Sequence, residues 1–443
     1  MQTTDVILGF SYQTVALFLM CGCYLLLFTE KMNRAVITVM FGAAAVMMGV
    51  VSQKQAIGAI DFNTISLLIG MMIVVNIAER SGMFQYVAIW GAKIVKAHPL
   101  WIMVMLGGVT AVFSAFLDNV TTVLLIVPVS LQIASKLEVN PYPYLLINIF
   151  ASNIGGTATL IGDPPNILIG SALGLSFMDF LVNLAPVILV ITVGLLWMFV
   201  YFWKDSLKSS MKNRAVVMSI NEKDAITDKG LLKISLFILA FVISGFVVAE
   251  HIGFNNGFIA LVGASLALLL YTLHDGHAKR EEKVEDVLNH VDWTTIFFFI
   301  GLFVIVGALE HTGFLQEIGE YFIKITDGSI KKSVFVILGV SAVFSAMVDN
   351  IPFVATMIPM LKTMEEAFGG REVMMPVWWA LSLGACLGGN GSLIGASANV
   401  IVAGIASREG RGISFLRFLI WSIPVMVLSV VVSGVYLYIK YFI

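Results

Sequence analysis

The chain contains two copies of one unit. Residues 61–65 have a counterpart in 292–296, and residues 112–119 have one in 343–350. Both pairs are 231 residues apart, since 292 − 61 and 349 − 118 give the same offset. Two copies of an internal unit constrain the fold to two similar substructures that pack against each other.

The composition indicates that both copies lie in a lipid bilayer. Apolar residues make up 59% of the chain and charged residues 12%, whereas a soluble domain carries about 25% charged residues. We therefore expect an all-α polytopic membrane protein. The net charge of −2 leaves no basic surface for nucleic acid, and three cysteines with no metal spacing provide neither a disulfide framework nor a metal centre.

The uncharged runs do not all fit full crossings. Runs 100–117 and 119–135 meet at Asp118-Asn119, and runs 333–348 and 350–361 meet at Asp349-Asn350. Each pair is either two spans with the dipeptide at the water surface or a re-entrant hairpin with its tip at membrane depth. Hairpins with the N-terminus outside put 19 of the 26 Lys and Arg residues on the inner side, which favours the second arrangement.

The predicted fold has two repeats, each with five transmembrane helices, one of them broken, and one re-entrant hairpin. About ten spans and two hairpins result, with both termini outside the inner (plasma) membrane. Because five crossings are an odd number, the second repeat is inverted. The repeats cover 1–203 and 231–443, a cytoplasmic linker covers 204–230, and segments 83–98 and 314–329 are expected at the membrane surface.

Three carboxylates stand alone in apolar surroundings: Asp118, Asp163 and Asp349. A charge inside a membrane costs at least ~2.5–3.5 kcal/mol, so its default interpretation is functional. Each aspartate could also cap a helix, and Asp163 precedes two prolines that suit a helix start. The two roles are compatible, because a helix N-terminus at membrane depth is itself an ion site.

Two glycine-rich segments, 153–166 and 388–399, predict broken helices at corresponding places in the repeats. Glycine packing between helices is the plainer explanation, but it does not explain the recurrence. Unwound carbonyls, hydroxyls and amides are hard oxygen ligands that suit Na⁺ or a hydrated oxyanion. The candidate binding residues in these segments are Asn153, Gly156, Thr157, Thr159, Gly162, Asn166, Asn390, Ser392, Ser397 and Asn399.

The two repeats differ in polarity at this site. Asp163 aligns with Ala396, and Thr121-Thr122 aligns with Pro352-Phe353. We therefore expect a single coupling ion to bind the first repeat. The hairpin candidates are Asp118, Asn119, Thr121, Thr122, Asp349 and Asn350, and a sodium ion is predicted at Asp118, Asn119, Thr122 and Asp163.

No Lys or Arg lies in the hairpin tips or the broken segments. A dianion there would need an accompanying cation or protonated carboxylates, or the cargo is neutral or cationic. A bound sodium ion or proton is the only cofactor expected. Glu79, Glu310 and His290 lie near predicted membrane edges and are interpreted as boundary residues.

The residues 113–122 (Phe-Ser-Ala-Phe-Leu-Asp-Asn-Val-Thr-Thr) and the whole of 153–166 resemble the ion transporter superfamily. The nearest branch joins arsenite (ArsB-type) permeases, the melanosomal P protein and NhaD-type sodium/proton antiporters. The resemblance also extends to a citrate transporter-like domain. Dicarboxylate/sodium symporters of the superfamily carry Ser-Asn-Thr motifs at the hairpin tip and at the broken helix. Here Asp118-Asn119 and Gly162-Asp163 replace these motifs, which disfavours a dicarboxylate cargo.

The resemblance implies a homodimer that works as an elevator. By analogy the scaffold covers 6–82 and 231–313, the mobile transport domain covers 100–203 and 331–443, and 83–98 and 314–329 are linking arms. It also implies that hairpin tips and broken helices enclose the cargo and the coupling ion.

The leading hypothesis is therefore an ion-coupled secondary transporter of a small inorganic ion or its neutral acid, such as arsenite or antimonite. A sodium/proton antiporter is the alternative, and a dicarboxylate/sodium symporter or a passive channel is less favoured. An intramembrane hydrolase with an Asp118/Asp349 pair is a further class, although the chain is not expected to be an enzyme. No phosphate-binding Gly-x-x-x-x-Gly-Lys motif is present, so any ATPase would be a separate partner.

Overall fold

The computed structural model describes residues 6–7, 9–29, 31–273 and 275–443. Two short antiparallel strands, β1 (Val6–Ile7) and β2 (Phe10–Ser11), come first, although the sequence predicts a span from residue 6. The helices within these residues are α1 Tyr12–Thr29, α2 Arg34–Met47, α3 Gln53–Ala59, α4 Phe62–Arg80, α5 Met83–Ile94, α6 Pro99–Phe116, α7 Asn119–Lys136, α8 Tyr142–Gly156, α9 Pro164–Leu173, α10 Phe177–Trp203, α11 Met211–Met218, α12 Lys229–Ile252, α13 Asn256–Thr272, α14 His277–Asn289, α15 Trp293–His311, α16 Phe314–Ile325, α17 Ile330–Met347, α18 Asn350–Met364, α19 Arg371–Gly388, α20 Ser397–Arg408 and α21 Phe415–Phe442. Single 3-10 turns lie at Glu222–Ala225 and Gly389–Gly391.

Nine of the described helices are long and apolar enough to cross a membrane, namely α1, α4, α6, α7, α10, α12, α15, α17 and α21. Three of these nine, α6, α7 and α17, belong to the hairpins. The shorter apolar helices α2 and α13 and the broken pairs α8–α9 and α19–α20 complete ten crossings. The expected architecture of five crossings and one hairpin per repeat is thus present. The predicted outside position of the N-terminus concerns residues 1–5, which lie outside the described part.

The arm segments follow a sharp turn in both repeats. Gly82 and Gly313 each have φ +78° at the junctions α4–α5 and α15–α16. A side chain in this left-handed region is strained, so glycine suits the turn. The predicted arm helices 83–98 and 314–329 are observed as α5 and α16.

The two repeats interleave. The second crossing of each repeat packs on the third crossing of the other, so that α2 contacts α15 and α13 contacts α4. A Cβ at Gly70 would lie 2.5 Å from the backbone of Ala260, and one at Gly301 would lie 2.4 Å from that of Thr38. Gly70 and Gly301 are 231 residues apart, so the same close contact occurs twice.

The hairpins and broken helices form a second interleaved layer. Within each repeat, α6 packs on α8 and α17 packs on α19; between repeats, α7 packs on α20 and α18 packs on α9. Gly155 meets the backbone of Ala111, and its counterpart Gly388 meets that of Ala342. Each hairpin therefore contacts the broken helices of both repeats, which brings the two tips together.

The segment between the repeats is not the freely solvated loop that its composition suggests. It contains α11 and a 3-10 turn, and it packs on α5 and α7. Ser209 donates to the carbonyl of Leu137 at 2.7 Å, and Lys93 Nζ lies 2.6 Å from Glu222 Oε2. The Lys93 ammonium lowers the pKa of the Glu222 carboxyl below its ordinary value.

Candidate functional site

Both hairpin tips are built around an aspartate that caps the returning helix. Asp118 accepts a hydrogen bond from the backbone N–H of Thr121 at 2.8 Å, and from the hydroxyl of the same residue. Asp349 accepts one from the N–H of Ile351 at 3.3 Å. The capping role weighed from the sequence is thus realised in both repeats.

Asp163 behaves differently from the two hairpin aspartates. It stands at the start of α9 but makes no capping hydrogen bond with its side chain, so the expectation of a cap is wrong at this position. Its carboxylate is 1% exposed and lies 3.4 Å from the amide nitrogens of Asn119 and Asn350. One aspartate of the first repeat therefore joins the tips of both hairpins.

A buried amide network surrounds this junction. Asn153 donates to the side-chain oxygens of Asn390 and Asn399, each at 2.9 Å, and accepts from Asn119 at 3.2 Å.

Asn166 donates to the carbonyls of Thr157 and Thr159, and Asn399 donates to those of Gly389 and Ser392. These four carbonyls were expected to be free ligands, but amides of the same segments satisfy them.

The hydroxyls in the broken segments also have structural partners. Thr159 donates to the carbonyl of Ala115, and Ser392 donates to its counterpart, Ala346. Thr157 donates to the carbonyl of Asn153 at 2.7 Å. The hydroxyls of Thr159 and Ser392 therefore join the broken segments to the hairpins, whereas the Thr157 hydroxyl bonds back to α8.

Two buried polar atoms in the same region lack a hydrogen-bond partner within the described residues. They are the hydroxyl oxygen of Thr122 and the amide nitrogen of Asn390. Thr122 follows Asn119 by three residues on α7, so both side chains lie on one face of that helix. The Thr122 hydroxyl is therefore a buried oxygen without a protein partner, on the helix face that also carries Asn119.

A cavity of about 490 Å³ reaches the junction. Of the sequence-predicted residues, those lining this cavity are Asp118, Asn119, Thr121, Asp163, Asn350 and Ser397. The predicted residues outside its lining are Thr122, Asn153, Gly156, Thr157, Thr159, Gly162, Asn166, Asp349, Asn390, Ser392 and Asn399. Across the described residues, no group of three or more His, Cys, Asp or Glu could hold a metal ion.

The expectation that no cation lies near the carboxylates is wrong. Arg34, at the start of α2, places Nη1 3.4 Å from Asp349 Oδ2 and 2.7 Å from Ser397 Oγ. Its Nη2 donates to Thr295 Oγ1 at 3.1 Å, and its guanidinium lies over the ring of Phe298. Arg34 therefore pairs with Asp349. It lines both this cavity and a neighbouring one of about 270 Å³, and Asp349 lines only the neighbouring one of these two.

The cavity continues toward the linker. A second cavity of about 680 Å³ shares Asn76, Glu79 and His290 with the first, and it is also lined by Ala225 and Thr227 of the linker. The site therefore opens to the face on which the linker lies, which the basic-residue bias predicts to be cytoplasmic.

Sequence reasoning missed several residues of the cavity wall. From the sequence, Glu79 and His290 are interpreted as boundary residues, Arg34 counts only among the basic residues of the inner side, and Asp292 only marks the repeat. The sequence does contain a signal for Asp292. Asp61 and Asp292 occupy equivalent positions in the two repeats, and each is followed three residues later by a threonine. In both repeats the aspartate accepts a hydrogen bond from the N–H of that threonine and so caps the helix. Nothing in the local sequence marks Arg34, since its partners are more than 250 residues away.

The fold is similar to a solved transporter. The crystal structure of the Alcanivorax borkumensis YdaH transporter matches with a TM-score of 0.59 over 97% of this chain and 98% of that one, at 10% identity. At this identity the match shows the fold alone.

Curated relatives cover nearly the whole chain. An uncharacterized transporter of Mycobacterium tuberculosis (strain ATCC 25618 / H37Rv) is 39% identical over 433 residues, with 97% of this chain and 99% of the relative covered. A 46 kDa membrane protein of Mycobacterium leprae (strain TN) is 37% identical, with 94% and 96% covered. The P protein of Homo sapiens is 32% identical over 96% of this chain and 59% of its own length.

The family described as CitMHS, citrate transporter, matches residues 24–384. This match and the P protein relatives confirm the resemblance to the ion transporter superfamily. The family and the Mycobacterium tuberculosis relative are described as transporters. The chain is a multi-pass membrane transporter that belongs to the CitMHS citrate transporter family of the ion transporter superfamily.

Proposed function

We propose that this transporter is a secondary active carrier whose coupling ion is Na⁺ or H⁺ and whose cargo is a small inorganic species. Arsenous acid or antimonite in its neutral form is the leading cargo. The observation that carries the proposal is the cavity that leads from the linker face to Asp118 and Asp163 at the junction of the two hairpin tips.

The charge of the cavity wall favours a cation and disfavours a free anion. Glu79, Asp118, Asp163 and Asp292 line it, against Arg34 and His290. Arg34 is already paired with Asp349, which lies outside this lining. Four carboxylates with little compensation repel an anionic cargo unless a cation or proton accompanies it.

The coupling ion fits best in the first repeat. Asp163, with its counterpart Ala396 in the second repeat, supplies a buried carboxylate, and Thr122 supplies a hydroxyl oxygen without a protein partner. Asp118 and Asn119 complete the set predicted from the sequence. Carboxylate, hydroxyl and amide oxygens are the hard ligands that Na⁺ prefers, and the same carboxylates can carry a proton.

We further propose that the site moves as an elevator. The scaffold would comprise 6–82 and 231–313, and the mobile domain 100–203 and 331–443, with α5 and α16 as arms. Few polar contacts would then cross between the two. Tyr24 contacts the Pro352 carbonyl at 2.8 Å and the Thr356 hydroxyl at 2.6 Å. Asn63 donates to the Ser171 hydroxyl at 2.8 Å, and Arg34 contacts Asp349 and Ser397. A homodimer in the inner membrane with both termini outside remains part of the proposal, and an ATPase partner is not required.

A sodium/proton antiporter is the second candidate. Both species that it exchanges are cations, and the excess of carboxylates in the cavity suits the binding of either one. The family description makes citrate a further cargo to test. Citrate could approach these carboxylates only with bound cations or protons.

The test is flux in proteoliposomes containing the purified chain. Arsenite, sodium and citrate are each offered under an imposed proton gradient, an imposed sodium gradient or neither, with empty liposomes as the control. We expect saturable arsenite flux that an ion gradient accelerates. Sodium flux driven by a proton gradient without arsenite flux would support the antiporter. Gradient-independent flux with single-channel currents would contradict coupled transport.

A further inference from the structure

A second charged groove lies away from the proposed transport site. It has a volume of about 530 Å³ and runs between the C-terminal halves of α7 and α20. Its lining includes Pro128, Leu131 and Lys136 of α7 and, from α20 and the loop after it, Ile405, Arg408 and Arg411. None of these residues lines the cavity at the hairpin tips.

The groove is apolar at one end and basic at the other. Pro128 and Lys136 are eight residues apart on α7, which corresponds to about 12 Å along the helix axis. Leu131 and Ile405 lie on the side nearer the hairpin tips, and Arg411 lies in the loop after α20. An apolar wall that ends in a cluster of cations matches the layout of a phospholipid, with its acyl chain beside its phosphate.

The cations of the groove have no protein partner. Within the described part of the chain, Lys136, Arg408 and Arg411 form no salt bridge and donate no side-chain hydrogen bond. Glu409 is the single carboxylate in the lining. Three cations against one carboxylate leave an excess of positive charge where an anion can bind.

The equivalent place in the other half of the molecule lacks these cations. There α18 packs on α9 as α7 packs on α20. With the offsets of the two segments, Ser135 and Lys136 correspond to Glu366 and Ala367, and Arg408 corresponds to Leu175. Since the helix packing is repeated and the charges are not, the packing itself does not require the cations.

The groove lies on the linker face. Leu137, the residue after Lys136, accepts a hydrogen bond from Ser209 of the linker. On the predicted orientation this is the cytoplasmic face, where the membrane surface carries anionic lipids. A soluble anion would meet the same cations, but it would leave the apolar wall without a partner.

We propose that this groove binds one anionic phospholipid of the inner leaflet. The phosphate contacts Lys136, Arg408 and Arg411, and an acyl chain lies along Leu131 and Ile405. Both helices begin at the transport site, α7 at Asn119 and α20 at Ser397, and they come from different repeats. The N-terminal ends of these two helices lie at the proposed transport site. The lipid would therefore join their C-terminal ends, at the cytoplasmic face.

The test uses the full chain in nanodiscs of phosphatidylcholine with and without phosphatidylglycerol. Lipid retention is read by native mass spectrometry, and the unfolding midpoint by tryptophan fluorescence. We expect phosphatidylglycerol to remain bound and to raise the midpoint. The variant Lys136→Gln/Arg408→Gln/Arg411→Gln should lose about tenfold or more of the retention, since each charge-assisted contact contributes appreciably. The single variant Arg411→Gln should lose part of the phosphatidylglycerol retention. Because Arg411 lies in the loop after α20, this variant alters neither helix.

The matched control is Lys223→Gln/Lys229→Gln/Lys233→Gln, which removes three cations from the same face outside the groove. It should retain phosphatidylglycerol as the unaltered protein does. Equal loss in the control, or full retention by the groove variant, would overturn the proposal. A midpoint shift of the same size with inorganic phosphate in phosphatidylcholine would also overturn it, because the occupant would then be a soluble anion.

Discussion

Single residues make the proposed transport site asymmetric. Asp118 receives its hydrogen bonds from Thr121 of its own helix, so its charge has no cationic partner within the described residues. Asp349 is paired with Arg34 and also accepts from Ser397 at 3.0 Å. The equivalent aspartates therefore differ in how much of their negative charge is available to a cation.

Replacing Asp118 should damage transport more than replacing Asp349. Asp118→Asn keeps an oxygen that can cap α7 but removes the charge. Coupled flux should then fall about tenfold or more, because a lost charge-assisted contact costs upward of ~1.5 kcal/mol. Asp349→Asn should retain most of the flux. Proteoliposome flux, normalised to the amount of inserted protein, measures both, and the reverse order would refute the asymmetry.

At this scale the sequence predicts the isolated carboxylates but not their partners. The polarity pattern marks Asp118, Asp163 and Asp349 because an intramembrane charge is rare. It does not reveal that Asn166 and Asn399 satisfy the carbonyls of the broken segments, since glycine content shows unwinding and not where the freed groups bond. Arg34 was missed because its role depends on contacts between the repeats.

Among the elements, the linker is the one whose structure differs most from its predicted state. Ser209 donates a hydrogen bond to the carbonyl of Leu137 at the end of α7. Glu222 pairs with Lys93 of the arm α5, and the N–H of Thr227 donates to the carbonyl of Ser81 at 3.2 Å. The linker thus contacts the proposed mobile domain, the arm and the end of the scaffold helix α4 on one face.

Weakening the Lys93–Glu222 pair should loosen the linker. Because the pKa of Glu222 is lowered in the folded protein, its contribution is present at neutral pH and is lost as the pH falls through that lowered pKa. Glu222→Gln should speed hydrogen exchange over residues 219–228 by about threefold at neutral pH, since a single ion pair at the protein surface contributes little.

The matched control for this exchange experiment is Glu282→Gln on α14, which should leave residues 219–228 unchanged. High salt should reproduce the effect of Glu222→Gln in the unaltered protein. Identical exchange in Glu222→Gln and the unaltered protein would show that the pair does not hold the linker.

Most helices were predictable because apolar runs and capping residues are local signals. The tips at Asp118 and Asp349, the turns at Gly82 and Gly313 and the two breaks all follow from residues at those positions. The docking of the linker was not predictable. Its polar composition is equally consistent with a solvated loop, and its partners, such as Leu137 and Ser81, are backbone carbonyls without a sequence signature.

The described part of the molecule consists of two interleaved repeats, so the proposed transport site is shared between them. α2 packs on α15 and α13 on α4 in the proposed scaffold, whereas α7 packs on α20 and α18 on α9 in the proposed mobile domain. Movement of the second set past the first would carry the hairpin tips away from the linker face. This movement is the central claim of the proposed mechanism.

A reversible cross-link tests the movement most directly. In a background with Cys21, Cys23 and Cys386 replaced by serine, Tyr24→Cys and Thr356→Cys join α1 to α18, whose native hydroxyls lie 2.6 Å apart. The control Asn183→Cys/Lys440→Cys joins α10 to α21 within the proposed mobile domain, where the native side chains lie 2.7 Å apart. Flux is measured before and after a bifunctional thiosulfonate reagent, and again after reduction.

We expect the cross-link between α1 and α18 to stop flux and reduction to restore it, while the control pair transports normally throughout. Undiminished flux through protein in which α1 and α18 are fully cross-linked would contradict a moving transport domain.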